Sequence, residues 1–388
     1  MKNLLKKDGV QSFVASLICI VLGLLIGYIV LLFINPTGAG AAIMEVIKNF
    51  FHYSKPALQL KNFGNTLVKT APLLMCSLSV LFCYKVGLFN IGVAGQYVAG
   101  SCAAIYCALQ LGWGWLPCLL AAIIAGSVFG VVVGLLKAYR NVNEVISGIM
   151  LNWIGLYLSN MLLSNVKEVA SPYTLHIKTE AAKALLPSFG LDKLFNGNQY
   201  ITLAIPLSVI VAVVISVVLN QTKFGYELKA TGLNRNAAKY CGMAEKRNII
   251  VSLAIGGSLA GLGGALLYLT DYEQWLCTGS SVPGMGFNGI AAAFLGGLNP
   301  IGTVFSSYFI QHITSGGAFV DKTMYCSQIS DLISSIIIYL CGFVLFIKYA
   351  MNNIIAKREK KAAAAGPEAP QPEAPKPAEA DNGKGGEA

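Results

Sequence analysis

Charged residues are scarce in this chain of 388 residues. Only 12% of the residues are Asp, Glu, Lys or Arg, whereas a soluble domain carries about 25%. Hydrophobic residues make up 55% of the sequence. Because such a chain cannot cover its surface with polar groups, we expect lipid to surround it. The apolar runs are continuous and do not alternate with polar residues, which favours transmembrane helices over barrel strands.

Residues that could perform chemistry are also few. The three histidines, His52, His176 and His312, lie far apart, and the ten cysteines include no CxxC pair, so no metal site is predicted. No Ser/His/Asp or HExxH arrangement is present, which argues against an intramembrane enzyme. The P-loop motif GxxxxGK(S/T) is missing too. We therefore expect no catalytic residue and no cofactor on this chain, and any ATP must be hydrolysed by a partner.

The apolar runs number about ten, as expected of an all-α polytopic membrane protein. A hydrocarbon core of about 30 Å needs about 20 apolar residues per helix. We read the first run as a retained helix, because it is too long for a signal peptide and no A-x-A site closes it. The runs cover residues 13–33, 67–84, 97–111, 115–136, 145–163, 200–219, 249–270, 286–298, 301–313 and 331–349. Those at 286–298 and 301–313 are broken by glycine.

The basic residues predict how the helices are oriented. The net charge is +10, and most Lys and Arg residues follow alternate runs, as positive cytoplasmic loops do. With ten helices both termini are then cytoplasmic. We see no basic face of a soluble domain, so nucleic-acid binding is not expected. The segment 164–198 is predicted to be external, although its four lysines, partly offset by three acids, weaken the rule locally.

Three regions follow from this pattern. Residues 1–12 form a short cytoplasmic segment, and 13–350 form the transmembrane domain. Residues 351–388 form a cytoplasmic tail that becomes rich in Ala, Pro, Glu and Gly. The tail has almost no apolar bulk to offset the entropy of folding, so we expect it to be disordered.

Polar residues and glycines interrupt the apolar runs in both halves of the chain. The sequence GLFNIGVAGQ follows the second run, and GFNGI opens the eighth. Interrupted segments in both halves are typical of a transport pathway, but the amides could equally form hydrogen bonds between helices. The candidate pathway residues are Phe89, Asn90, Gln96, Asn152, Phe287 and Asn288.

The segment 222–247 is the longest basic stretch between apolar runs. Gly232 and Asn234 are expected to open a short helix over 235–240, before Gly242. Ala237 and Ala238 are small enough for this helix to sit in a groove of a motor subunit. The alternative is a solvated loop that only anchors the protein by its positive charge.

Several longer motifs occur together and in order. They read KTAPLL with GLFNIGVAGQ, NEVISGIMLNWI, FGYELKATGLNRNAAKYCGM and GFNGIAAAFLGGLNPIGT. Over residues 67–349 the chain resembles the permease subunits of bacterial ABC importers for nucleosides and simple sugars, in the wider branched-chain amino acid permease group. The FNIG motif is more similar to the nucleoside branch. The family often has Glu where this chain has Ala94, so no role is carried onto that position.

The resemblance implies a permease in the bacterial inner membrane. It would move nucleosides, or related sugars, inward from an external binding protein. The coupling helix around Gly232 would seat in an ABC ATPase subunit, and a related but different permease would be the second membrane subunit. An ion-coupled secondary transporter stays as the alternative, although it would need acids inside the membrane and the runs are nearly free of them. A disulfide between Cys277 and Cys326 is also left open, since spacing alone fixes no geometry.

Overall fold

The structure is a computed structural model that describes residues 8–326, 332–333, 335–336, 339–340, 342–344 and 346–353. Apart from two isolated β-bridges, the regular structure of these residues is helical, which confirms the all-α class. Residues 1–7 and residues 354–388 of the predicted tail 351–388 lie outside the described residues, whereas residues 351–353 of that tail are helical. The helices are α1 Asp8–Ile34, α2 Ala39–Lys48, α3 Pro56–Tyr84, α4 Val93–Leu109, α5 Trp115–Arg140, α6 Glu144–Leu163, α7 Ile177–Glu180, α8 Leu191–Leu194, α9 Ala204–Gln221, α10 Lys223–Leu233, α11 Arg235–Tyr240, α12 Glu245–Tyr268, α13 Met285–Leu295 and α14 Pro300–Gly316.

Several of these helices can cross a membrane. Within the described residues, six are long and apolar enough: α1 from Val14 on, α3, α5, α6 extended to Val166, α9 and α12. The helices α4 and α14 have 17 residues each and α13 has 11, because glycine-rich turns interrupt the apolar runs. The tenth predicted run, 331–349, is described only in part. The chain is therefore a multi-span helical protein, and ten crossings stay a prediction.

Helix α12 lies at the centre of the bundle and packs against α3, α4 and α5. Glycines make these contacts possible. A Cβ on Gly257 of α12 would lie 2.1 Å from the Gly126 carbonyl oxygen of α5, and a Cβ on Gly100 of α4 would lie 2.2 Å from Gly261 Cα. Side chains larger than hydrogen would separate these backbones. Small residues therefore supply the close packing that holds helices together where lipid removes the hydrophobic driving force.

The helices α1, α5, α6 and α9 surround this centre and expose apolar side chains. On α9 the exposed residues include Ile210, Val213, Val214 and Val217. Water would make such a large continuous apolar surface unfavourable, so these faces suit contact with lipid.

The connecting segments gather at two ends of the bundle. At the first end, the segment 164–203 packs on the start of α3 and on the residues after α12. There the Asn198 side-chain amide donates to the Lys61 carbonyl at 2.9 Å, and Trp275 Nε1 donates to Asn160 Oδ1 at 2.9 Å. At the second end, the turn after α3 meets α10, and Lys246 at the start of α12 lies over the Tyr139 ring at the end of α5. The Asn248 amide there donates to Thr231 Oγ1 at 3.0 Å.

Candidate functional site

The first interruption is the turn between α3 and α4. The chain leaves α3 at Lys85, and Gly87 takes a positive φ of 74° that favours glycine. The turn then runs back into the bundle, where the Asn90 amide donates to Ser79 Oγ of α3 at 3.0 Å. Helix α4 consequently begins inside the protein, at Val93.

The two amides predicted from this turn bind each other. Asn90 Nδ2 donates to Gln96 Oε1 at 2.8 Å, and Gln96 Nε2 donates to Asn90 Oδ1 at 3.1 Å. Both side chains are buried. This reciprocal pair satisfies polar groups that would be costly if left alone in an apolar interior. The geometry suits hydrogen bonding between elements, and the predicted contact of these two residues with substrate stays a prediction.

The Asn152 side chain of α6 forms hydrogen bonds with the backbone at the end of this turn and the start of α4. Its Oδ1 accepts from Gly95 N at 2.7 Å, and its Nδ2 donates to the Ile91 carbonyl at 3.1 Å. The backbones are in close contact here as well, because a Cβ on Gly148 would lie 2.7 Å from Gly92 N. Asn152 therefore holds α6 against the start of α4 and is itself buried.

The second interruption meets the first. Helix α13 begins at Met285, and a Cβ on Gly286 would lie 2.5 Å from Ala94 Cα in the first turn of α4. Two short helices thus begin against each other inside the bundle, one from each half of the chain. Discontinuous helices whose N-termini converge are a recurring way to build a binding site within a membrane transporter.

The remaining candidate residues lie at the open side of this meeting point. Phe287 is exposed, and Asn288 is half-buried. The Asn288 amide makes no side-chain hydrogen bond within the part of the chain that the structure describes. Phe89 is half-buried and packs against Phe294 of α13, with ring centroids 6.5 Å apart. The six candidates therefore fall into two groups. Three are buried side-chain amides that hydrogen-bond within the protein, namely Asn90, Gln96 and Asn152. The other three, Phe89, Phe287 and Asn288, are residues that a ligand or a second subunit could reach.

The coupling segment contains the predicted helix. Helix α11 spans Arg235–Tyr240, and the Asn234 side chain caps it by accepting from Ala237 N at 3.0 Å. After the helix, Gly242 takes a positive φ of 78°. The prediction of a short helix that opens at Asn234 and ends before Gly242 is confirmed.

Two details of that prediction need correction. Gly232 does not supply an unusual backbone angle, since it lies within α10. It is needed for packing, because a Cβ there would lie 2.6 Å from the Lys85 carbonyl oxygen. Ala238 is buried inside this chain, only 3% exposed, so it does not face a partner groove.

Two exposed residues of the coupling segment, Leu233 and Tyr240, were missed from the sequence. Leu233 is 89% exposed and Tyr240 is 92% exposed. The available signal was that both are large apolar residues in an otherwise polar stretch. Their spacing of seven does not place them on one helix face, because Asn234 breaks the helix between α10 and α11. Ala237 is exposed as well. Leu233, Ala237 and Tyr240 are the exposed apolar side chains of residues 233–240, and we call them the coupling surface.

An ion pair at the first end was also missed. Lys69 Nζ of α3 lies 2.6 Å from Glu273 Oε1, which follows α12. The same ammonium lies 5.3 Å from the ring centroid of Tyr272, and that ring contacts Tyr200 edge-on. The pair ties α3 to the segment that leads into α13. Hydropathy alone could not find it, because it gives no pairing between distant segments.

Other expected features concern metal ions and cysteines. Among the described residues, no group of three or more His, Cys, Asp or Glu is placed to hold a metal ion. The predicted absence of a cofactor stays a prediction. Cys277 and Cys326 are both free thiols, the first buried and the second exposed.

Known proteins resemble this chain over most of its length. A family model for the branched-chain amino acid transport system permease component matches residues 62–342. The chain is 32% identical to the guanosine ABC transporter permease protein NupP of Bacillus subtilis, over 91% of this chain and 98% of NupP. It is 31% identical to the nucleoside ABC transporter permease protein NupB of Lactococcus lactis, over 76% of this chain and 82% of NupB.

A second Bacillus subtilis protein is also similar. The guanosine ABC transporter permease protein NupQ is 27% identical over 63% of this chain and 80% of NupQ. No solved structure matches the chain significantly. With the family model covering residues 62–342 and six helices able to span a bilayer, this protein belongs to the branched-chain amino acid transport permease family and is a multi-pass permease of the cell membrane.

Proposed function

We propose that this chain is the permease subunit of an ABC importer that carries nucleosides from an external binding protein into the cytoplasm. One observation carries the proposal: Gly232 of α10 lies against the backbone of Lys85, at the start of the turn that leads to α4. A movement of α10 would therefore reach the meeting point of α4 and α13 through a direct backbone contact. The names of NupP, NupB and NupQ support guanosine or another nucleoside as cargo.

The energy would come from a separate ABC ATPase subunit, because this sequence has no P-loop motif. Its groove would receive the coupling surface of Leu233, Ala237 and Tyr240. Asn234 and Gly242 would fix the two ends of α11, so that these side chains keep their positions when the ATPase closes. Closure would displace α10 and, with it, the turn at Lys85. Access to the pathway would alternate as a result.

The pathway would pass the open side of the meeting point between α4 and α13. Phe287 and Phe89 would offer ring faces on which a nucleobase can stack, a contact worth about 1–3 kcal/mol per base. The amide of Asn288 would donate to or accept from the edge of the base. Asn90, Gln96 and Asn152 would shape the pathway from behind.

A second permease would complete the pathway. The Asn288 amide has no side-chain partner among the described residues, so a second subunit that hydrogen-bonds to it would be favourable inside a membrane. NupP and NupQ are two different guanosine permease proteins of one organism, and both resemble this chain. This supports a related but different second permease over a second copy of the same chain.

The proposed topology has ten crossings with both termini in the cytoplasm. The coupling segment 222–247 would be cytoplasmic and the segment 164–198 external, which agrees with their positions at different ends of the bundle. Lys85, Lys137 and Arg140 lie at the end of the coupling segment, as expected for a cytoplasmic face. The transmembrane domain would extend over 13–350, between the segment 1–12 and the tail 351–388.

Uptake by cells tests the cargo. The chain is expressed with its second permease, ATPase and binding protein in a host that lacks nucleoside uptake, and entry of labelled guanosine is measured. We expect uptake that excess unlabelled nucleoside blocks and excess glucose does not. If all subunits reach the membrane and only glucose enters or competes, the nucleoside assignment is wrong. Omitting the ATPase alone is the matched control.

A further inference from the structure

A cavity of about 670 Å³ opens at the second end of the bundle, on the side formed by α1 and α14. It does not include any of the candidate pathway residues. The turn between α13 and α14 closes one wall. Most of its lining is apolar: Leu17, Ile20, Leu298, Ile301, Phe305 and Phe309. Two lysines, Lys85 and Lys348, also line it.

The apolar part of the cavity is open to the side. Phe305 of α14 is 69% exposed, and Leu17 of α1 and Ile301 are exposed too. These residues lie on helices whose outer faces are apolar, so the opening faces the region that lipid occupies. A hydrocarbon chain could enter between α1 and α14 without crossing a polar barrier.

Among the described residues that line the cavity, two are lysines and none is acidic. The Lys85 ammonium makes no hydrogen bond or ion pair within the described residues, although the Lys85 backbone N–H donates to the Leu81 carbonyl at 3.1 Å. Burial, with the positive charges of Lys229 and Lys348, lowers the pKa of Lys85. Like charges in a partly dry site repel each other, and an anion placed between them would relieve that repulsion.

The backbone near the cavity does not supply the anion site. The first free amides of α14 are capped, because Asn299 Oδ1 accepts from Ile301 N at 2.9 Å and from Gly302 N at 3.4 Å. An anion must therefore be held by the lysine ammonium groups. Its phosphate would lie beside Lys85, and anything attached to that phosphate would extend along the apolar wall.

We propose that this cavity binds an anionic phospholipid. The phosphate lies between Lys85 and Lys348, and the acyl chains pack along Leu17, Ile20 and Phe305. A positive site joined to an apolar, laterally open wall complements a lipid of this kind. The cytoplasmic leaflet, which is richer in anionic lipid, borders the end that carries the coupling segment in the proposed topology. The lipid would also lie next to the Lys85 backbone that contacts Gly232.

Native mass spectrometry tests this site on the importer purified with its partner subunits. The complex is taken from nanodiscs that mix phosphatidylglycerol with phosphatidylcholine, and the lipids that stay bound are identified. We expect phosphatidylglycerol to be retained. Lys85→Gln should lower its retention about five-fold, the effect of one basic residue beside an anionic lipid. Lys85→Arg, which keeps the charge, should retain it.

Two further variants test the specificity of the site, one for the position of the charge and one for the apolar wall. Lys223→Gln removes a positive charge at the same end without touching the cavity and should retain the lipid as the wild type does. Leu17→Trp fills the apolar wall and should lower retention even if Lys85→Gln fails to fold. Equal retention of both lipids by the wild type, or undiminished phosphatidylglycerol in folded Lys85→Gln, overturns the proposal. Displacement by glycerol phosphate without acyl chains overturns it too.

Discussion

Asn90 and Gln96 are polar residues inside an apolar bundle, and each is satisfied by the other. The sequence identified both as unusual, since amides at this depth are costly. It could not decide between a hydrogen bond and a substrate contact, because the same residue types serve both roles. The decision depends on how the turn at Gly87 folds back, and that depends on contacts with α3 and α6 that are distant in sequence.

Alanine substitutions at two asparagines separate stability from substrate contact. Asn90→Ala leaves the buried Gln96 amide without its partner and should destabilise the protein by about 1–3 kcal/mol. Asn288→Ala removes an amide that has no side-chain partner among the described residues, so stability should be unchanged while guanosine uptake falls. Thermal unfolding in detergent and uptake in cells measure the two effects. Equal stability of both variants would contradict the structural role of Asn90.

A methyl group at Gly232 tests the contact between α10 and the turn after α3. A Cβ there would lie 2.6 Å from the Lys85 carbonyl oxygen. Gly232→Ala should therefore push α10 away and cost about 1–3 kcal/mol through overpacking. It should also lower substrate-stimulated ATP hydrolysis. Gly40→Ala is the matched control, because a Cβ at Gly40 meets no atom within 4 Å. If both variants hydrolyse ATP and transport as the wild type does, this contact does not transmit movement.

Among the elements, the long helices were predicted well. Helix α5 begins at Trp115 as expected, and α6 spans Glu144–Leu163 where 145–163 was predicted. Helix α3 begins at Pro56, 11 residues before the apolar run at 67. Hydropathy marks the part of a helix that lies in hydrocarbon, and the polar first turns of α3, with Gln59 and Asn62, extend beyond it. Helix α2 was not predicted at all, because its ten residues are too short for a span.

The coupling surface gives a prediction at this scale. Leu233 and Tyr240 are almost fully exposed, so Leu233→Ser with Tyr240→Ser should leave the fold intact and detach the ATPase. Two apolar anchors buried in a partner groove are commonly worth several kcal/mol together. Co-purification of the ATPase with the permease measures the loss. Tyr226→Ser, which changes an exposed tyrosine of α10 outside the coupling surface, is the control and should keep the ATPase bound.

Ala238, unlike the residues of the coupling surface, should affect folding and not ATPase binding. Because it is buried within this chain, Ala238→Glu should disrupt the packing of α11 and lower the melting temperature, whatever the partner does. A folded Ala238→Glu permease that has merely lost the ATPase would show that this side chain faces the partner after all.

At the scale of the whole molecule, the topology is reflected in which connecting segments lie at each end of the bundle. The segments 164–203 and 222–247 lie at different ends, which a count of apolar runs predicted. The meeting of α4 and α13 depends on tertiary contacts between Gly286 and Ala94, which the periodicity of the sequence does not encode.

Reporter fusions test the topology. A reporter enzyme that is active only on the outer side of the membrane, fused after residue 353, should be inactive. The same reporter inserted at residue 190 of the segment 164–198 should be active. The reverse pattern would contradict the ten-crossing topology.

The most direct test of ATP-driven nucleoside import is uptake by reconstituted vesicles. This chain, the second permease and the ATPase are placed in proteoliposomes, with ATP inside and labelled guanosine and the binding protein outside. We predict accumulation of guanosine that stops with a non-hydrolysable ATP analogue and with the Leu233→Ser, Tyr240→Ser variant. Accumulation that proceeds without ATP hydrolysis and follows an imposed ion gradient would contradict the ABC importer and indicate a secondary transporter.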